Sequence, residues 1–197
     1  GGRIEVGGSD QGGSTAPTAS NTSIEESAVF DASSDSGEGG HIVVWSDGQT
    51  DFQGKADASS SDGQGGFIEV SGATLSYDSF LNQLKLGSGG HFLLDPTDIL
   101  IDSTLASSIE GMLDGGTDVS LTTSTGGADV GDITVAANIQ VPTNNLGDTG
   151  TLSLTADRDI VVNGGVTVQN LQEDFTPGQT VFDFTAGRDI VLSGDLR

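Results

Sequence analysis

The stretch Gly39-Gly-His-Ile-Val-Val44 decides the fold, because its pattern of two glycines, a variable residue and apolar positions occurs four times. The other copies are Gly65-Gly-Phe-Ile-Glu-Val70, Gly89-Gly-His-Phe-Leu-Leu94 and Gly1-Gly-Arg-Ile-Glu-Val6, so successive copies are 38, 26 and 24 residues apart. Repeats of this length with short strands predict a solenoid, in which each unit buries its apolar face by stacking on its neighbours.

The alternation within each copy predicts which side chains stack. Successive residues of a strand point to opposite faces, so each copy has an apolar face and a mixed face. We expect the apolar face to form the core: Ile4, Val6, Ile42, Val44, Ile68, Val70, Phe92 and Leu94. We expect the mixed face to point outward: Arg3, Glu5, His41, Val43, Trp45, Phe67, Glu69, His91, Leu93 and Asp95. Parallel pairing of such strands from successive coils gives a parallel β-helix.

The rest of the chain continues the solenoid in a second style. Residues 9–23 are rich in Gly, Ser and Thr and predict a loop that leaves the coil and returns. A short surface helix is predicted over 103–113, capped by Asp102 or Ser103. Beyond it, Ala156-Asp-Arg-Asp-Ile-Val161 recurs 30 residues later as Ala186-Gly-Arg-Asp-Ile-Val191. We therefore predict one all-β, continuous solenoid over 1–197, with Gly-Gly coils in 1–97 and the second coil style in 98–197.

The charge of the chain limits its partners. Six Lys and Arg residues against 29 Asp and Glu residues give a formal net charge of −23. Such a surface repels nucleic acid and anionic membranes, so we expect neither nucleic-acid binding nor membrane insertion. The sequence pattern predicts coil strands at both ends of the chain. We expect it either to stack end to end in its assembly or to belong to a longer chain.

Taken in order along the chain, these sequence motifs resemble those of filamentous-haemagglutinin-type exoproteins, the large secreted partners of bacterial two-partner secretion. The resemblance is carried by Gly1-Gly-Arg-Ile-Glu-Val-Gly-Gly8, Gly39-Gly-His-Ile-Val-Val-Trp-Ser-Asp-Gly48, Asp51-Phe-Gln-Gly54, Gly65-Gly-Phe-Ile-Glu-Val-Ser-Gly72, Leu94-Asp-Pro-Thr-Asp-Ile99 and Gly131-Asp-Ile-Thr-Val135. It implies a right-handed parallel β-helix that a dedicated barrel transporter exports across the outer membrane. Members of this family serve as adhesins, surface fibres or stalks, and the resemblance places no catalytic residue on this segment.

Two kinds of side chain could bind a metal. His41 and His91 occupy the same place in two copies, but Phe67 stands in the coil between them, so surface histidines are the preferred interpretation. The acidic turns Asp47-Gly48 and Ser61-Asp-Gly63 offer oxygen ligands of the kind that Ca²⁺ takes. Their spacing fits neither an EF-hand nor the nonapeptide of calcium β-rolls. We therefore predict solvated turn carboxylates, compatible with weak nonspecific Ca²⁺ binding.

Carboxylates beside arginine are the groups that polysaccharide lyases and hydrolases of β-helical fold use. Only two such clusters occur, Asp157-Arg-Asp159 and Arg188-Asp189. Because they recur at one repeat position, we predict a stacked ladder of turns in which Arg offsets the charge of neighbouring Asp residues. Trp45 and Tyr77 could stack on sugars, although a lone indole at a strand end more often caps an apolar patch. The sequence thus predicts no catalytic, cofactor-binding or metal-binding residues.

The function expected from these observations is that of a structural and adhesive rod within a large secreted protein on the bacterial surface, not that of an enzyme. Its expected partners are neighbouring coils, an outer-membrane transporter and a glycan or protein of a host or bacterial surface. Two alternatives stay open: a polysaccharide-active β-helix enzyme, and a calcium-stabilised extracellular filament subunit that stacks end to end.

Overall fold

The computed structural model describes residues 1–13, 17–76, 81–123, 131–141, 150–171 and 180–197. The chain is a β-solenoid of stacked coils with one short α-helix in these ranges, which confirms the predicted fold class. It divides into two compact units, Gly1–Pro96 and Thr97–Arg197. Within each unit the paired strands are all parallel.

The first unit has strands in three parallel sheets: three coils contribute one strand to each sheet, and a fourth strand extends the first sheet. The first sheet contains β1 (Arg3–Val6), β4 (His41–Val44), β7 (Phe67–Ser71) and β10 (His91–Asp95). The second contains β2 (Thr22–Ile24), β5 (Gln49–Phe52) and β8 (Thr74–Ser76). The third contains β3 (Val29–Asp31), β6 (Lys55–Asp57) and β9 (Leu84–Lys85). Short 3₁₀ turns occupy Asp10–Gly12 and Leu81–Gln83.

The repeated apolar positions pair in register along the first sheet. Ile4 pairs with Ile42, Ile42 with Ile68, and Ile68 with Phe92. The predicted core residues of β4, β7 and β10 are at most 1% exposed, whereas Ile4 and Val6 on the edge strand β1 are half-buried. The alternation in the sequence therefore identified the core.

The paired glycines are explained by the approach of successive coils at one corner. A Cβ atom on Gly66 would overlap the carbonyl oxygen of Gly40, and a Cβ on Gly40 would overlap those of Ala32 and Gly2. The backbone itself fills the space that a side chain would need. Glycine is required there by packing, whereas the equivalent Gly2 has no atom within 4 Å of its Cβ position.

The second unit repeats the three-sheet arrangement with different turns. One sheet contains β11 (Ile99–Ile101), β13 (Ile133–Val135), β16 (Asp159–Val162) and β19 (Asp189–Leu192). The strands β12 (Asp118–Thr122), β15 (Thr151–Ala156) and β18 (Val181–Ala186) pair in that order. The last sheet contains β14 (Ile139–Val141), β17 (Thr167–Asn170) and β20 (Asp195–Leu196).

The helix α1 (Ser103–Asp114) lies where the sequence predicts it. The side chain of Asp102 caps it by accepting hydrogen bonds from the backbone N–H of Thr104 at 2.9 Å and of Leu105 at 3.0 Å. Leu105, Ile109 and Leu113 are at most 1% exposed, and the helix contacts strands β11, β12, β14 and β15. Its apolar stripe therefore covers part of the core of the second unit.

Replacing Gly66 with Ala tests the corner packing. We expect Gly66→Ala to lower the free energy of unfolding by about 3 kcal/mol, because the new methyl group forces two backbone segments apart. Gly2→Ala, at the same place in another copy, is the matched control and should leave stability within about 0.5 kcal/mol of the parent. Urea denaturation followed by circular dichroism measures both, and equal stability of the two variants would contradict this account of the glycine pairs.

Candidate functional site

Four side chains form a row on the outer face of the first sheet, which we call the outer row: Arg3, His41, Phe67 and His91. Strand register places them side by side in that order. The rings of His41 and Phe67 stack with centroids 4.5 Å apart, and His91 meets Phe67 edge-on at 5.5 Å. The prediction that Phe67 separates the two histidines is confirmed. Both histidines are half-buried rather than free at the surface.

Residues 7–13, which we call the covering segment, lie over this face. Asp10 Oδ1 is 2.5 Å from His41 Nε2, and Asp10 Oδ2 accepts a hydrogen bond from Arg3 Nη2 at 3.0 Å. Gln11, at φ 48°, is the one non-glycine residue of the described ranges with a positive φ, and its N–H points at Glu69. The loop predicted over 9–23 therefore does more than leave the coil, since its first part folds back onto the sheet.

Glu69 is the buried carboxylate under the covering segment. Its side chain accepts hydrogen bonds from Gln11 N–H, at 3.0 and 3.2 Å to its two oxygens, and from Ser71 Oγ at 2.8 Å. Its neighbours in register are Val43 and Leu93, and Glu69 itself has no exposed surface. Burial raises the pKa of Glu69 to about 7, because a charge removed from water is disfavoured.

The burial of Glu69 corrects the prediction of an exposed mixed face. Val43 has no exposed surface, Leu93 is 6% exposed and Asp95 is 4% exposed. An outward-pointing side chain is solvated only where nothing lies over the sheet, and backbone from residues 10–12 lies over Glu69. Alternation along a strand determines which face a residue is on, but not whether another segment covers that face.

Trp45 packs against the covering segment. A Cβ on Gly8 or on Gly12 would come within 2.6 Å of the indole ring, so the ring rests on these two glycines. The indole N–H donates to Asp47 Oδ1 at 3.4 Å. These contacts favour the packing role over sugar stacking, the other predicted role of Trp45. Tyr77, the second candidate for sugar stacking, lies outside the described residues.

The second unit carries a column of aspartates, one per coil, which we call the Asp–Arg ladder: Asp98, Asp132, Asp159 and Asp189, with Arg158 and Arg188. Three of these carboxylates, those of Asp98, Asp132 and Asp159, receive hydrogen bonds from the coil that follows. Asp98 accepts from the N–H of Gly131 at 2.8 Å and of Asp132 at 2.9 Å. Asp132 accepts from Arg158 Nε at 2.6 Å, and Asp159 from Arg188 Nε at 2.8 Å. The predicted stacking of the Asp157-Arg-Asp159 and Arg188-Asp189 turns is confirmed, and the structure adds Asp98 and Asp132 to the ladder.

The electrostatics of the Asp–Arg ladder are those of bidentate ion pairs. Both guanidinium groups use Nε and Nη2 on one carboxylate. The hydrogen bonds from Arg158 lower the pKa of Asp132, and those from Arg188 lower the pKa of Asp159. These carboxylates hold their charge more firmly than usual, which is the opposite of what a general acid in glycoside cleavage requires.

Side chains of the acidic turns take part in hydrogen bonds within the protein. Asp47 Oδ2 accepts from Thr18 Oγ1 at 2.6 Å, and Ser60 Oγ accepts from the N–H of Gly63 at 2.8 Å. Within the described ranges, no group of three or more His, Asp or Glu side chains is placed to hold a metal ion. In the same ranges, no helix combines the length and apolar character needed to cross a membrane.

Comparison with known proteins leaves the family open. No protein-family model matches the chain, and no curated protein is significantly similar to it. Nothing in these comparisons identifies a filamentous-haemagglutinin-type protein, so the solenoid fold is what is established.

Glu69 is the main residue that the sequence reasoning missed. One signal was present in the repeat. At the position of Glu69, two other copies carry Val43 and Leu93, which indicates an apolar environment for at least part of that row. The contact that buries Glu69 involves Gln11, which lies 58 residues away, and no spacing in the sequence links the two.

The raised pKa of Glu69 predicts a specific pH dependence of stability. Between its unfolded value near 4.5 and its folded value of about 7, the unfolded chain loses this proton while the folded chain keeps it. Stability should therefore fall as the pH rises through this window, by about 3 kcal/mol for a shift of this size. Thermal denaturation from pH 4.5 to 8 measures the effect.

The isosteric variant Glu69→Gln should be less sensitive to pH in this window and more stable than the parent at pH 8. Glu5→Gln is the matched control, because Glu5 lies in the same row of the sheet on the edge strand and is exposed. Its pH profile should follow that of the parent. A Glu69→Gln profile parallel to that of the parent would show that the carboxylate titrates as it does in the unfolded chain.

Proposed function

We propose that this chain is a structural and adhesive rod segment of a large secreted bacterial surface protein, of the filamentous-haemagglutinin type exported by two-partner secretion. The observation that carries this proposal is the continuity of side-chain rows through successive coils. Ile4, Ile42, Ile68 and Phe92 form such a row in the first unit, and Ile99, Ile133, Ile160 and Ile190 form one in the second.

A repeated row is suited to building length. Each coil adds about 4.8 Å along the direction of stacking, so length grows with the number of coils while the core chemistry stays the same. The outer surface is then free to vary, and an acidic surface keeps such rods apart through charge repulsion. The proposed partners are therefore a transporter during export and a glycan or protein of another surface afterwards.

Immunolabelling of the producing bacterium tests this proposal. Antibodies raised against the purified chain should label intact cells or their culture medium. Protease added to intact cells should remove the signal, because a surface rod is accessible from outside. A cytoplasmic protein serves as the control for cell integrity. Labelling that appears only after permeabilisation, and that survives external protease, would overturn the proposed location and with it the adhesive role.

The polysaccharide-active alternative is tested at the Asp–Arg ladder. We propose that the chain has no such activity, and the lowered pKa of Asp159 speaks against hydrolysis with Asp159 as the general acid, because an ionised carboxylate has no proton to donate. Incubation with acidic and neutral polysaccharides should release no reducing ends or unsaturated products. Turnover that is lost in Asp159→Asn but kept in Asp195→Asn, an exposed carboxylate outside the ladder, would show that the chain is an enzyme.

A further inference from the structure

The covering segment, residues 7–13, is attached to the first sheet through two of its residues. Gln11 N–H donates to both carboxylate oxygens of Glu69, at 3.0 and 3.2 Å. The Asp10 carboxylate lies 2.5 Å from His41 Nε2 and accepts a hydrogen bond from Arg3 Nη2 at 3.0 Å. Within the described ranges, every hydrogen bond that these two residues make with the sheet ends on an ionisable side chain of the sheet. The attachment is therefore sensitive to protonation.

The backbone of the covering segment allows it to lift from the sheet as one piece. A turn inside it joins Gly12 N–H to the Ser9 carbonyl at 2.8 Å. At its base, Ala19 N–H donates to the Gly7 carbonyl at 2.7 Å, and Gly7 has a φ of 80°, which glycine adopts readily. Gln11 has a φ of 48°, which non-glycine residues rarely adopt, so its place over the sheet is imposed by its contact there. The segment can lift while its base stays attached.

The surroundings of Glu69 oppose its ionisation while the segment is closed. Burial raises the pKa of Glu69, and the carboxylates of Asp10 and Asp95 raise it further, against the effect of the hydrogen bonds that Glu69 accepts. Asp10 lies on the covering segment and Asp95 at the end of strand β10. The register neighbours Val43 and Leu93 are apolar. Lifting the segment removes one of the two carboxylates and admits water to Glu69.

The contact of Asp10 with His41 responds to pH in the same direction. His41 is charged only when it is protonated, so its ion pair with Asp10 belongs to acidic conditions. Arg3 keeps its charge and is shared between Asp10 at 3.0 Å and Glu5 at 2.6 Å, so its contact persists at all these pH values. Raising the pH adds a negative charge to Glu69 and removes a positive charge from His41, and both changes loosen the covering segment.

We propose that the covering segment is a pH-dependent strap, closed over the first sheet under acidic conditions and opened by the ionisation of Glu69. Opening exposes Glu69 and withdraws Asp10 from the outer row, which gives solvent wider access to the rings of that row. The direction follows from proton linkage, because the open form releases the proton of Glu69 at a lower pH than the closed form does. A rise in pH therefore favours the open form. This inference does not depend on the proposed function.

Hydrogen exchange of the Gln11 amide, measured on the whole chain by ¹H–¹⁵N NMR and corrected for the intrinsic rate, tests the strap. Between about pH 4.5 and pH 8 its protection should fall on the order of 100-fold, as expected for a carboxyl group whose pKa is about 7 when covered and near 4.5 in water. Phe67 N–H, which donates to the Gly40 carbonyl at 2.8 Å within the sheet, should stay at least about tenfold better protected at each pH. That difference separates opening of the strap from unfolding of the sheet.

Glu69→Gln removes the titrating group and keeps the shape of the side chain. The fall in Gln11 protection should then shrink to about tenfold or less, the remainder belonging to the histidine–aspartate contact. Glu110→Gln is the matched control, because Glu110 also accepts a backbone N–H from a distant residue, that of Gln140 at 2.7 Å, but lies in the second unit. It should reproduce the parental profile.

Three outcomes would overturn the proposal. The first is equal protection of Gln11 and Phe67, which would mean that the segment leaves only when the sheet unfolds. The second is a Gln11 protection that does not change with pH in the parent. The third is a parental profile in Glu69→Gln. The first two are measured on the parent, so the test does not depend on the folding of a variant.

Discussion

The close approach of backbones between successive coils is the constraint on which the first unit depends. Parallel pairing brings strands that are 24 to 38 residues apart in sequence into contact, and it does so at a corner that leaves no room for a Cβ atom on Gly40 or Gly66. Because the glycines permit this approach, the isoleucine and valine positions that follow them come into register and bury one another. The core is thus a consequence of backbone pairing at the corner, and each coil completes the burial of the coil before it.

A second requirement of the fold is that many carboxylates must be accommodated in a small number of coils. Some of these carboxylates accept hydrogen bonds from groups that are close in sequence, and others accept them from the following coil. Asp31 and Asp57 each accept from the serine two residues ahead, which satisfies one oxygen locally. Asp132 and Asp159 are instead bound by an arginine from the following coil. The Asp–Arg ladder therefore adds electrostatic contacts between coils to the apolar contacts inside them, and it offsets the repulsion that stacked aspartates would otherwise cause.

The two faces of the first sheet differ in how they are buried. The inner face is buried by repetition, since every coil supplies the same kind of side chain. On the outer face the covering segment makes contacts that are not repeated from coil to coil, in which the backbone of Gln11 donates to Glu69 and Asp10 contacts His41 and Arg3. A carboxylate placed under such a contact acquires a pKa near neutrality.

The sequence by itself determined the repeating part of this protein. Repeat spacing and alternation predicted the parallel strands and the core residues of β4, β7 and β10. Local patterns predicted the helix, with Asp102 or Ser103 as its cap, and the recurring Asp-Arg turns at Arg158 and Arg188. Only the tertiary structure decided that Glu69 is buried and that Trp45 rests on Gly8 and Gly12. The physical reason is that these features arise where a segment outside the repeat, or a single turn, packs on a coil. Such contacts depend on how segments that are distant in sequence pack in three dimensions, and no repeat spacing in the sequence predicts them.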